Sequence, residues 1–128
     1  MEDRYLQQLK KGVLEMLVLR LICRKPAYGY ELLNRLKTDS DGLFTLKEGT
    51  LYPILYRLED DGMIQSSWTT GEGRSAPKKV YSATEQGKER CLRQAEIWKQ
   101  FVAAVDGFAE DAAKHDINEP RNLWEEQI

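Results

Sequence analysis

Hydrophobic positions recur along the chain in two periods, one near 3.6 residues and one of two. Leu6 to Cys23 is rich in Leu, Val and Met, and from Val13 onward only Glu15 and Arg20 interrupt the apolar run. This predicts a long first helix, amphipathic at its start and buried on most sides thereafter. Arg24, Lys25 and Pro26 close it, because cations suit a helix C-terminus and proline cannot extend it. Tyr28 to Lys37 predicts a shorter second helix with Leu32, Leu33 and Leu36 on one face, and the stretch TDSDG (38–42) predicts a turn. Leu51, Ile54, Leu55 and Leu58 fall at i, i+3, i+4 and i+7, the buried face of a third helix running to Asp61 with Gly62 as its C-cap.

The start of that third helix has two solutions, and Pro53 gives each a different consequence. Thr45 to Glu48 matches a capping box. A helix starting there loses the bond that residue 53 would make to Gly49. With Thr50 as N-cap, Pro53 lies in the first turn, where no N–H is required. In both cases the apolar spacing places Pro53 on the outward face.

After Gly62 the period changes. Met63 to Thr69 alternates, with Ile64 and Trp68 on one face and Gln65, Ser67 and Thr69 on the other, as in a half-buried strand. TGEGRSAP (70–77) is a loop and Lys78 to Tyr81 a returning strand, which completes a hairpin. Thr84 then reads as the N-cap of a long helix through about Asp106. Within it Cys91, Ala95, Trp98, Val102, Val105 and Ala109 are spaced 4, 3, 4, 3, 4, a short heptad seam that Ile97, Phe101 and Phe108 widen. A second copy of the chain is the simplest cover for such a face, so these residues are the expected dimer interface. The last residues, 110–128, form an acidic tail, either mobile or carrying one short helix with Leu123 and Trp124.

Three helices followed by a two-stranded hairpin describe a mainly α fold, a winged helix-turn-helix over residues 1–83, with a C-terminal dimerisation helix over 84–109. The third helix is then the reader of the DNA major groove and the hairpin loop the wing. Its outward face carries Thr50, Tyr52, Pro53, Tyr56 and Arg57. Hydroxyls and a guanidinium can bond phosphates or base edges, and tyrosine rings can lie against sugars or a thymine methyl. The bland alternative is a solvated face, yet Lys and Glu would be usual there rather than two tyrosines and a proline. Gly71 and Gly73 give the wing reach, and Arg74, Lys78 and Lys79 offer charge to the DNA backbone; the alternative is a hairpin charged only for solubility. The loop is not a phosphate cradle, since it lacks a Gly-Lys-Ser/Thr ending and precedes a strand. Tyr28 opens the second helix, where an anion is favoured, and Tyr30 is expected at the core edge. Trp98 is either packing or, with its dimer mate, one wall of a cavity for a flat aromatic ligand.

Composition adds limits more than content. A chain of 128 residues suits a compact soluble domain, with no apolar run near the ~20 residues of a membrane span. The N-terminus lacks the basic-then-apolar order of a secretory signal, so a reduced cytoplasmic setting is expected. Net charge is −2, but residues 1–83 hold 13 basic against 11 acidic side chains and the remainder 6 against 10, so the acidity lies in the C-terminal third. Cys23 and Cys91 are far apart in sequence and form no CxxC pair, which argues against metal or redox work. His115 has no second ligand nearby, and Glu59, Asp60 and Asp61 read as a solvated helix end, so no enzyme, metal or cofactor is expected.

The runs YGYELLNRL, LKEGTLYPILYRLEDDGMI and KKVYSATEQGKE, with the Gly/Arg/Lys wing between the last two, resemble the PadR-like family of bacterial transcriptional regulators over about residues 10–108. The resemblance implies a winged-helix homodimer joined by its C-terminal helix, of the small subfamily, binding double-stranded DNA at an inverted-repeat operator. It implies a repressor released by a phenolic or planar aromatic effector. Carried over, the DNA-facing positions fall on Tyr28, Thr50, Tyr52, Pro53, Tyr56, Arg74, Lys78 and Lys79, and a pocket tryptophan on Trp98. The rival expectation is a winged helix used as a protein-assembly module, its exposed tyrosines meeting a partner chain.

Overall fold

The computed structural model describes residues 4–70, 73 and 76–118, with side chains described through Ala109. The chain runs α1 (Arg4–Arg24), β1 (Ala27–Tyr28), α2 (Gly29–Asp39), α3 (Glu48–Asp60), β2 (Ile64–Thr69), β3 (Lys78–Ala83) and α4 (Glu85–Asn118). It divides into two units, the first ending at Leu92 and the second beginning at Arg93.

In the first unit one apolar cluster joins helices and sheet. Val18, Leu19, Leu21 and Ile22 of α1 meet Leu32 and Leu36 of α2 and Leu51, Ile54, Leu55 and Leu58 of α3; Ala27, Met63, Ile64 and Tyr81 close it from the sheet side. The i, i+3, i+4, i+7 face of α3 is therefore the buried one, as the spacing predicts. Helix α1 differs from expectation, since only its C-terminal half is buried, and Tyr5 and Leu9 are exposed. The partners α2, α3 and the sheet reach only that half.

The sheet is antiparallel with strand order β1-β3-β2. Strands β2 and β3 pair from Ile64↔Ala83 to Thr69↔Lys78, the predicted hairpin. The short strand β1 was not expected: Ala27 and Tyr28 pair with Tyr81 and Val80. Two residues are too few to show a period. The predicted inward placement of Trp68 is corrected. It shares a strand face with the buried Ile64 but is 69% exposed, lying beyond the edge of the core. Tyr30, expected at the core edge, is also exposed.

The caps explain where the helices stop. Helix α3 ends in a Schellman motif: Met63 N–H bonds Leu58 C=O at 2.9 Å and Gly62 N–H bonds Glu59 C=O at 3.0 Å, with Gly62 at φ 76°. Its start matches neither expected cap. Lys47 is the N-cap in extended conformation, and the Thr45 hydroxyl instead donates to Gly42 C=O at 2.8 Å, bracing the turn before the helix. At the head of α4, Thr84 caps as predicted. Its Oγ1 accepts the Gly87 N–H at 3.1 Å and donates to Gly62 C=O at 2.6 Å. A Cβ at Gly87 would collide with the Met63 backbone carbonyl, so only glycine allows this crossing of α4 over the α3–β2 junction. Helix α4 continues to Asn118, past the expected end near Asp106 to Ala109, with Gly107 inside it.

Candidate nucleic-acid interface

Helix α3 turns Thr50, Pro53, Tyr56 and Arg57 to solvent while its four leucine and isoleucine residues face the core. Pro53 is the sixth residue of the helix. It lies past the first turn and forfeits the hydrogen bond that an N–H there would make to Gly49. The exposed side is where that loss costs least, because water can solvate the freed carbonyl.

The other predicted contacts separate. Tyr56 is exposed, with its ring 6.4 Å from that of Tyr52. Tyr52 is half-buried against the core and lies over the start of α2, where a Cβ on Gly29 would come within 2.6 Å of its hydroxyl oxygen. Arg57 faces α1 through an ion pair to Glu15 at 3.6 Å, both side chains substantially exposed. At that exposure the pair contributes little stability, but it points the guanidinium toward α1.

The hairpin brings a second set of groups beside α3. Lys78 Nζ lies 4.3 Å from the centre of the Tyr28 ring and donates to the Tyr28 hydroxyl at 3.3 Å. Tyr28 is itself the N-cap of α2, and its N–H donates to the Glu31 carboxylate at 3.2 Å, half of a capping box. Lys79 lies 5.6 Å from the centre of the Tyr81 ring and pairs across the hairpin with exposed Trp68. Arg74, the third expected wing cation, lies outside the described residues.

Tyr81 couples the wing to the helix. Burial pushes its phenol up from the usual tyrosine range, with Glu59, Tyr52 and Tyr56 adding to the rise. The Glu59 carboxylate also accepts a 2.6 Å hydrogen bond from Ser66 of β2. Lys79 and Trp68 share the strand face of buried Tyr81, which neighbours Tyr52 and Tyr56 of α3, while Lys78 shares the opposite face with Tyr28, so each face of the hairpin offers a surface of mixed stacking and cationic character. Such a surface suits sugar, base and phosphate together. Trp68 is the member that the sequence reading did not anticipate. Its place beside the glycine-rich loop was the available signal, outweighed by its alternation with Ile64.

The predicted dimer residues lie on α4. Ala95 and Val102 are half-buried; Trp98, Phe101, Val105 and Phe108 are exposed. The Trp98 and Phe101 rings lie 6.1 Å apart. Cys91, expected in the same seam, is half-buried and neighbours Cys23 of α1 in the same chain. Among the described residues no group of three or more His, Cys, Asp or Glu could hold a metal ion, and no helix is long and apolar enough to cross a membrane.

Known proteins resemble this chain over the region that carries α2, α3 and the hairpin. Residues 18–93, more than half of the 128-residue chain, match the Transcriptional regulator PadR-like family. The chain is 31% identical over 101 residues to protein X of Lysinibacillus sphaericus, covering 78% of this chain and 91% of that one. It is 31% identical over 77 residues to the negative transcriptional regulator PadR of Bacillus subtilis, covering 60% of this chain but only 42% of the relative. Among solved structures, a PadR-family regulator of Eggerthella lenta superposes with a TM-score of 0.70 at 34% identity, covering 81% of this chain and 88% of that one.

Proposed function

This chain belongs to the PadR-like family of transcriptional regulators, and from that premise we propose that it is a homodimeric, operator-specific repressor acting on cytoplasmic DNA. The observation that carries the proposal is the exposed Thr50, Pro53 and Tyr56 edge of α3, together with a hairpin that carries Lys78 and Lys79. Residues 1–83 supply the DNA-binding part. Thr50, Tyr52, Pro53 and Tyr56 enter the major groove; Tyr28, Arg74, Lys78 and Lys79 bind phosphates, with Trp68 stacked on sugar beside them. Arg57 joins them only by giving up Glu15. The relative from Bacillus subtilis, named a negative regulator, supports the repressing direction.

The exposed apolar stripe of α4 supports pairing of two copies through Ala95, Trp98, Val102 and Val105, because a row of large apolar side chains on one helix face is costly to leave in water. Two recognition helices related by a twofold axis read an inverted repeat, with half-sites about 10 bp apart or a multiple of it. The neighbouring Trp98 and Phe101 rings supply an aromatic wall for a flat phenolic or aromatic effector that relieves repression. The test is a mobility shift of the protein's own promoter region at moderate salt, with random DNA as competitor. Equal retention of both DNAs, or of neither, would leave the protein-assembly role in its place.

A further inference from the structure

Cys23 and Cys91 are the two cysteines of the chain, 68 positions apart, and the fold brings them to one place. Cys23 lies one residue before the end of α1, and its thiol donates to the Gly87 carbonyl at 3.7 Å. Cys91 stands one turn further along α4 on the face that Gly87 presents, and its side chain neighbours the Cys23 thiol. Both cysteines are free and half-buried. The first turn of α4 is held there by the Thr84 bonds to Gly62 and Gly87 and by the close approach of Gly87 to Met63. A single half-buried cysteine is an ordinary small apolar residue. Two that meet across different helices, with a large sequence separation, form a cross-linkable pair.

We propose that Cys23 and Cys91 form a reversible intramolecular disulfide on exposure to hydroperoxides, stapling the end of α1 to the first turns of α4. Burial and the adjacent Cys91 push the Cys23 thiol up to about 12, which keeps it protonated near neutral pH and disfavours it as the first attacking sulfur. The Cys91 thiolate attacks one peroxide oxygen, forming an S–O bond, and the departing alkoxide or hydroxide takes up a proton. The Cys23 sulfur then attacks the sulfenic sulfur, the S–O bond breaks, and the Cys23 proton leaves with the hydroxyl as water. Two thiols and one hydroperoxide become one disulfide, one alcohol (or water) and one water. The two electrons leave the sulfurs for the peroxide bond.

The experiment treats the reduced, full-length protein with one equivalent of hydrogen peroxide, then denatures it in N-ethylmaleimide. The expected product carries no maleimide, is lighter by about 2 Da, migrates as a single chain without reductant and reverts with dithiothreitol. Its Tm is higher by roughly 5–10 °C, and its tryptic map joins the peptide of Cys23 to that of Cys91. In Cys23→Ser the Cys91 sulfenic acid persists and is labelled by dimedone; in Cys91→Ser no label appears. Two maleimides per wild-type chain after peroxide, or cross-links only between chains, would overturn the proposal without touching DNA binding. Dimedone on Cys23 in place of Cys91 would overturn the assigned order of attack. The wild-type mass measurement decides the cross-link even where a serine variant folds poorly.

Discussion

The ammonium of Lys78 lies over the ring of Tyr28, 4.3 Å from its centre, and donates to its hydroxyl at 3.3 Å. This contact ties the loop end of the hairpin to the N-cap residue of α2 and holds the cation there. Exposed cation–π contacts contribute about 0.5–1 kcal/mol, so the pair orders the lysine more than it stabilises the fold.

Replacing Lys78 by alanine should therefore weaken binding to specific and random DNA alike. The slope of log affinity against log salt should fall by about one for each phosphate that the variant no longer neutralises. Tyr28→Phe keeps the ring under the ammonium and should have a smaller effect. Fluorescence anisotropy across a salt series measures both; an unchanged slope in Lys78→Ala would remove that lysine from the phosphate set.

Tyr56 differs from Tyr52 in exposure, and the two variants should differ in kind. Tyr56→Ala should cost about 1–3 kcal/mol of specific binding while leaving random-DNA affinity and Tm near wild type. Tyr52→Ala should also lower stability by about 1–3 kcal/mol, because that ring packs on the core beside Gly29. Competition binding paired with thermal melts separates the two effects.

Gly87→Ala should be among the most damaging single-methyl additions. The new Cβ meets the backbone carbonyl of Met63, which cannot swing aside as a side chain can, and overpacking of this sort costs about 1–3 kcal/mol or more. Thr84→Ala removes the cap over the same turn and should cost about 1 kcal/mol. Urea unfolding of the two variants reports both, and a wild-type midpoint for Gly87→Ala would show that α4 does not need this crossing.

Stability should decline on the alkaline side. The Tyr81 phenol has its folded-state value raised by burial first and by Glu59, Tyr52 and Tyr56 after it. A raised value means that the folded chain holds this proton more tightly than the unfolded one. The stability linked to that proton is fully present below about pH 10, where both states keep it. Above that the unfolded chain ionises first, and stability falls until the folded phenol also titrates. Tyr81→Phe should flatten that part of the curve, as read from unfolding free energy between about pH 8 and 11.

Val102→Asp should convert a dimer to a monomer, since a carboxylate in an apolar seam would be buried without a partner. Sedimentation equilibrium gives the mass. Trp98 emission titrated with planar aromatic cations and with phenolic acids tests the effector role, and no quenching by either class would leave Trp98 as a packing residue only.

The local elements of this protein are legible in its sequence. The buried face of α3, the glycine that ends it, the Thr84 cap and the β2–β3 hairpin all follow from spacing and cap chemistry within a few residues, which is where periodicity and hydrogen-bond valence act. The exposed edge of Thr50, Pro53 and Tyr56 was legible for the same reason, as the complement of a helical stripe. Whatever depends on distant residues was settled by packing instead. The pairing of Ala27 and Tyr28 with β3 needs the hairpin to be in place, and Trp68 is exposed because no element extends far enough to cover it. Arg57 is drawn to Glu15, 42 positions earlier, and Tyr28 receives Lys78 from 50 positions away. Cys23 and Cys91, unrelated by any short motif, meet because the end of α1 and the start of α4 converge on one edge of the core. Local pattern is set by the bonding of neighbours along the chain, whereas these contacts arise only once packing has chosen which faces meet.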